Sequence, residues 1–218
     1  MLKTENLFEP ACSMAGLWLS GFEYPWQALP EIGNLIRELG KSLGDDYFSP
    51  APEVWIHKTA VVAPTASITG PCIICAKTEI RHCAFIRGNA LVGESCVVGN
   101  STELKNVILF DCAQVPHFNY VGDSILGYRS HLGCGAVTSN VKSDYTNVTV
   151  RTDDGRVETG LRKFGAMVGD YSEVGCNAVL NPGTVLGRNC TVYPTSCVRG
   201  ALAENSIWKN DGTVVRKV

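Results

Sequence analysis

Aliphatic residues recur at every sixth position through the middle of the chain. From Ile56 the series runs Val62, Ile68, Ile74, Ile80, Ile86, Val92, Val98 and Leu104. At ordinary aliphatic frequencies nine such positions in a row arise by chance about once in ~10⁵ trials. A second series, offset in phase, comprises Leu126, Leu132, Val168, Val174, Leu180, Leu186, Val192 and Val198. Four residues after each aliphatic the side chain is small: Ala60, Ala66, Cys72, Thr78, Ala84, Ala90, Cys96 and Thr102, and later Ser130, Ala136, Ser172, Ala178, Thr184, Cys190 and Ser196, with Leu202 the one large exception. Glycine often follows the aliphatic directly, as at Gly93, Gly99, Gly127, Gly133, Gly169, Gly175 and Gly187, where it would supply turn geometry. A six-residue period matches neither the strand period of 2 nor the helical 3.6. It fits a solenoid with three short strands and three corners per coil, its aliphatics stacked in a narrow core. At the usual strand spacing of ~4.8 Å, about seven coils would stand roughly 34 Å tall.

Residues 1–50 lack the repeat. Leu29, Ile32, Ile36, Leu39 and Leu43 recur at three- and four-residue steps, with Pro30 near the start and Gly44 just past the end. That pattern predicts a short helix over Pro30–Leu43, packed as a cap on an open end or side of the solenoid. The repeat itself occupies residues 51–203. Its frame slips between Leu104 and Leu126, where Phe110 and Pro116 take the expected aliphatic places before the count shortens by one. It breaks again between Ser139 and Ala166, and Asp154-Gly155 between alternating residues predicts a β-hairpin insertion near 140–165. Residues 204–218 read as a departing arm ending in Arg216-Lys217.

With 45% hydrophobic and 18% charged residues the chain lies in the ordinary globular range. Its net charge of -2 argues against broad binding to nucleic acid or to an anionic membrane. Apolar runs fall short of the ~18 residues a membrane span needs, and the N-terminus lacks a secretory pattern, so a cytoplasmic location is expected. Ten cysteines then read as small apolar fillers rather than disulfides. Cys72, Cys96 and Cys190 occupy the small inward site. Cys72 and Cys75 form a C-x-x-C but at different positions of the repeat, so they would point in different directions and no structural zinc is expected.

Four histidines are the candidate bases. His57 and His82 read as surface turn residues of regular coils, and His131 directly precedes the ladder residue Leu132. His117 stands apart, because it lies in the slipped coil within Val115-Pro-His-Phe-Asn-Tyr-Val-Gly-Asp123. A polar, aromatic cluster at a broken rung is costly unless satisfied or used. From the residues alone, catalysis and a buried structural histidine stay equally open.

The hexapeptide pattern resembles that of the left-handed parallel β-helix proteins, and the handedness is implied by that resemblance alone. The run His117-Phe-Asn-Tyr-Val-Gly-Asp123, followed by Leu126-Gly, Leu132-Gly-Cys-Gly-Ala-Val-Thr138 and Asn140, resembles the acetyltransferase domain of the bifunctional enzyme of UDP-N-acetylglucosamine biosynthesis, over about residues 53–203. Tyr24-Pro-Trp-Gln-Ala-Leu-Pro30 and Gly160-Leu-Arg-Lys-Phe-Gly165 are more similar to the archaeal-type sugar-1-phosphate nucleotidylyltransferases with a fused acyltransferase domain. The nucleotidylyltransferase domain with its glycine-rich loop is absent from residues 1–50, so uridylyl transfer is not expected.

The resemblance implies an acetyl-CoA-dependent N-acetyltransferase acting on an amino-sugar 1-phosphate of the glucosamine or galactosamine type, with no metal and no nucleic-acid or membrane partner. His117 would be the general base. Arg87 and Lys105 would neutralise the sugar phosphate, and Tyr120, His131 and Asn140 would hold the sugar. Acetyl-CoA would run past Cys134, Ala166 and Cys176 toward Pro194 and Arg199. His131 stands where the bifunctional enzyme has asparagine, and Cys134 and Cys176 replace small residues. A homotrimer with sites between neighbouring prisms is implied, and a flat-sided prism suits such packing. Two rivals stand beside this reading. One is a non-catalytic sugar-nucleotide-binding or interaction module. The other is a γ-type carbonic anhydrase, which needs three zinc-binding histidines; His82 and His117 are spaced as two of them, but Phe118 to Asp123 supplies no third.

Overall fold

The computed structural model of the protein describes residues 1–153 and 155–217. It is a parallel β-solenoid whose short strands stack on three faces. On the first face the inward column is Ile56, Ile74, Val92, Leu109, Leu126, Val168, Leu186 and Leu202. The second carries Val62, Ile80, Val98, Val115, Leu132, Val174, Val192 and Trp208. The third carries Ile68, Ile86, Leu104, Val121, Thr138, Leu180 and Val198. The six-residue period of the sequence is thus the step from one face to the next.

The slip lies between Leu104 and Leu126, but it starts before Phe110 and costs two residues where the sequence count gave one. Leu109, Val115 and Val121 point inward, and Phe110 and Pro116 do not. One residue is lost at each of two corners joining the third face to the first. There Glu103–Leu109 and Tyr120–Leu126 run as continuous seven-residue strands. These shortened corners lie one above the other, with Asn106 and Asp123 both at positive φ (53° and 48°). A third shortening makes Leu202 a ladder residue beneath Leu186, which explains why it is large. The coil also continues past the expected arm: Ser206–Trp208 stacks on the second face, and Val214–Arg216 folds back antiparallel to it.

The glycines that follow the aliphatics do not serve positive φ. That conformation falls two residues later, on residues such as Lys77, Ser95, Tyr171 and Asn189. The glycines are required by the next coil: a Cβ on Gly99 would lie 1.4 Å from the Pro116 carbonyl oxygen, and one on Gly175 2.4 Å from Pro194 N.

The N-terminal segment covers a side of the solenoid. Ile73, Leu91, Ile108, Ile125, Met167 and Val185 point outward from the first face and are fully buried. They pack beneath Leu7, Phe8, Trp26, Ile32 and Ile36 on one flank and Val148, Val150 and Phe164 of the insertion on the other. The helix spans Ile32–Ser42, two residues shorter at its start than expected, because Pro30 lies in the 3₁₀ turn Pro25–Glu31. Asp170 fixes this layer: its carboxylate accepts from Glu9 N and Tyr128 N at 2.8 Å each, and its own N–H donates to the Leu7 carbonyl. The expected hairpin is present as Thr149–Thr152 with Gly155–Glu158; Asp154, half of its turn signal, lies outside the described residues. Cys72 faces the inner core and Cys75 the layer beneath the helix, and burial pushes the Cys75 thiol up to about 12. All ten cysteines are free. Among the described residues no helix is long and apolar enough to cross a membrane.

Candidate active site

With the first face covered, the second and third faces and the edge between them remain open. His117 ends the strand Gln114–His117 at that edge and is exposed. Each coil continues the edge through the next by a backbone hydrogen bond: Phe118 N to Asn100 O, Gly135 N to His117 O, Asn177 N to Cys134 O and Thr195 N to Cys176 O. His117, Cys134, Cys176 and Pro194 therefore form one column, rung upon rung. The corner is held from inside by Asn119, buried where other coils have a small residue. Its Oδ1 accepts the His117 N–H at 3.1 Å, and its Nδ2 donates to the carbonyls of Gly133 (2.8 Å) and Ala136 (2.9 Å). Every capacity of this buried amide is used, as burial of a polar group demands. Among the described residues the His117 ring has no hydrogen-bond partner.

Across the third face lies a polar cluster. Tyr120 stands three residues after His117, past the corner at Phe118, and opens the next strand. Its hydroxyl accepts from Asn140 Nδ2 at 3.1 Å, and the same nitrogen donates to Asp123 Oδ2 at 2.5 Å. Asp123 also accepts from Asn106 Nδ2 at 3.0 Å. Burial, and then the Asp123 and Glu103 carboxylates, raise the Tyr120 phenol above its ordinary range. Tyr120 thus stays neutral, with its own proton free to donate outward. Lys105 is paired in register with Gly122 and lies 3.8 Å from Asp123 Oδ2. Arg87 sits one rung beyond and meets Glu103 at 2.7 Å. Glu103 is the direct neighbour of Tyr120 across the ladder. The structure therefore joins Arg87, Lys105, Tyr120 and Asn140 on one face beside the His117 edge, each cation facing a carboxylate.

Three expected residues fall outside this group. His131 lies on the flat of the second face, its Nδ1 2.9 Å from Glu173 Oε2, in an open groove of about 510 Å³ with Gln114 and Arg129. Ala166 is fully buried at an inward position of the first face, paired with Thr184. Its methyl is core, so its side chain reaches no ligand. Arg199 lies on the third face, one strand away from Pro194, and its Nη2 donates to Asn181 Oδ1 at 3.2 Å. His57 and His82 cap turns through Thr59 and Thr65. Among the described residues no group of three or more His, Cys, Asp or Glu could hold a metal ion.

Asn119, Asp123, Glu103 and Glu173 were not singled out from sequence. A signal existed for the first: asparagine stands where the repeat demands a small side chain. Glu103 and Glu173 reveal themselves only when residues 16 and 42 positions apart become neighbours.

The fold is that of a hexapeptide-repeat solenoid. Residues 68–162 match the family described as the GMPPB C-terminal domain. The chain is similar to the bifunctional protein GlmU of Methanococcus maripaludis, at 30% identity over 93% of this chain and 50% of the relative. It is also similar to the GlmU of Methanococcus vannielii, at 35% identity over 62% of this chain and 32% of the relative. A third relative is the bifunctional sugar-1-phosphate nucleotidylyltransferase/acetyltransferase of Sulfurisphaera tokodaii, 28% identical over 58% of this chain and 31% of that protein. The chain thus spans half or less of the curated relatives it matches. What it resembles is the hexapeptide-repeat acetyltransferase domain of GlmU.

Proposed function

We propose that the protein transfers the acetyl group of acetyl-CoA to the amino nitrogen of an amino-sugar 1-phosphate, with His117 as general base. The observation that carries this reading is the His117–Cys134–Cys176–Pro194 edge, flanked by Tyr120, Asn140, Lys105 and Arg87. The sugar phosphate would displace the Glu103 and Asp123 carboxylates as partner of Arg87 and Lys105, exchanging one charge-assisted pair for another. Tyr120 would donate to a sugar hydroxyl.

The sugar nitrogen must lose a proton to attack the thioester. The exposed imidazole of His117 would take it as general base. As the C–N bond forms and the C–S bond breaks, His117 would hand that proton to the departing thiolate, and a second proton would leave the acylated nitrogen to solvent, giving free CoA and the N-acetyl sugar. The thioester would lie down the edge past Cys134 and Cys176. A homotrimer would lay a second prism along this edge and close the groove against water. An acetyl-CoA donor would fit a cytoplasmic location.

The test is thiol release from acetyl-CoA across a panel of amino sugars that includes glucosamine-1-phosphate and galactosamine-1-phosphate. Release is expected with a 1-phosphate and not with the free amino sugar. No turnover with any member would overturn the reading.

A further inference from the structure

We propose that the cleft between the hairpin insertion and the third face is a binding site for a phosphate-bearing anion, held by Arg151, Arg156 and Arg199. The cleft, of about 440 Å³, is walled by the hairpin on one side and by Ser139, Asn181 and Arg199 on the other. Arg151 and Arg156 are directly opposite each other in the antiparallel hairpin. Like charges at such a pair repel and destabilise it. Val150 and Val157, one residue along, form the apolar side that packs on the buried layer. The alternation of the strand therefore turns both guanidinium-bearing side chains to the side that lines the cleft.

The third arginine is brought in by close approach of backbone. Arg151 lies against Gly200, where a Cβ would be 2.9 Å from the Arg151 carbonyl oxygen. Asn181 holds Arg199 from within the same wall. Among the described residues the acids nearby do not neutralise the three. Asp144 pairs with Lys142 at 3.3 Å, Glu158 is opposite Thr149 and outside the cleft lining, and among the described residues none of the three arginines meets a carboxylate within 4 Å. Three forks around one open cavity match a phosphomonoester or diphosphate, which arginine binds bidentately.

The site stands four rungs from Lys105 on the same face, through Gly122, Ser139 and Asn181 to Arg199. At ~4.8 Å per rung that is roughly 19 Å. Arg199 thus stands well away from the cations proposed for the sugar phosphate, while Ser139, at the near end of the cleft, lies beside Asn140. The site is argued from the arginines alone and does not depend on the acetyl-transfer reading. Its ligand could be the nucleotide part of the acyl donor or a nucleoside diphosphate, and the chemistry is shared.

The test is calorimetric titration of the full chain with pyrophosphate, adenosine 3′,5′-bisphosphate and UDP. At least one is expected to bind, with affinity falling as salt is raised. The R151A/R156A variant should lose at least tenfold, R151K/R156K should lose less, and His117→Ala should bind as the parent does. The tighter-binding nucleotide identifies the source. Thermal melts of both double variants report whether the hairpin change unfolds the chain; R199A, off the hairpin, should show the same loss. Undiminished affinity in R151A/R156A and R199A, or no binding of any of the three anions, would overturn the proposal. Loss of turnover in His117→Ala with anion binding intact would separate this site from the catalytic one.

Discussion

Asn119 accepts the main-chain N–H of His117 at 3.1 Å while its own amide bridges to Gly133 and Ala136 in the coil below. The side chain thus ties the candidate base to the next rung. Asn119→Ala removes a buried group and takes the partner from the Ala136 carbonyl and the His117 N–H, while the Gly133 carbonyl still accepts from Ala136 N; the cost is about 1–3 kcal/mol. The expected outcome is a lower melting temperature together with a loss of kcat, while KM for acetyl-CoA stays near the parent value. A variant that melts lower but retains full kcat would show that Asn119 supports the fold without positioning His117.

The cations of the third face separate binding from chemistry. On the proposed reading, Arg87→Ala and Lys105→Ala each remove a partner for the sugar phosphate. A hydrogen bond to a charged group is worth about 1.5–3 kcal/mol, so kcat/KM should fall roughly tenfold to a hundredfold. The loss should appear in KM for the sugar phosphate and not in KM for acetyl-CoA. Steady-state kinetics with each substrate varied in turn decides this.

Asp170 makes the N-terminal layer sensitive to pH. Burial raises its carboxyl pKa, against the lowering effect of the two N–H groups it accepts from and of Arg188. The folded chain then holds a proton more tightly than the unfolded chain. From the ordinary carboxyl range up through the raised value, the group's contribution to stability falls as pH rises. Asp111, raised by burial in the same way, adds to the trend. Asp170→Asn should flatten the slope of unfolding free energy against pH on the acid side of neutrality. It should also cost stability at pH 7, because an amide cannot accept from both Glu9 N and Tyr128 N through its two ends. Denaturant melts at several pH values provide the check.

Phe110 is fully buried and stacks on Phe8 with centroids 5.2 Å apart. It joins the N-terminal segment to the solenoid. Phe110→Ala should cost about 3–5 kcal/mol. Limited proteolysis should then cut first within residues 1–43, while the coil resists. Cutting first within the coil would show that the layer does not protect it as described.

The columns of the solenoid were legible because each inward residue of a narrow core must be aliphatic, so the period survives in sequence. The side cap was legible in its helix, but Pro30 misplaced the start by two residues because a 3₁₀ turn continues the same apolar spacing. Within the slipped stretch the first loss was missed, since Phe110 is as apolar as a ladder residue but serves the outer layer. His117 stood out as an imidazole at a broken rung. Its partner Asn119, and the carboxylates facing Arg87 and Lys105, were not visible. Their roles depend on which residues of successive coils become neighbours, and the lost corner residues change that register from 18 to 17. That the Ala166 side chain points into the core was not visible either, because a family position carries no information on which way a side chain points. The Arg151–Arg156 pairing likewise needed the hairpin register.

Transfer of labelled acetyl from acetyl-CoA to the amino nitrogen of an amino-sugar 1-phosphate, by the parent and by His117→Ala, tests the central claim most directly. The account predicts N-acetylated product with the parent and a rate lower by about 10²–10⁴ in the variant, with its melting temperature unchanged. Equal rates in the two proteins, or label on a hydroxyl instead of the nitrogen, would contradict it.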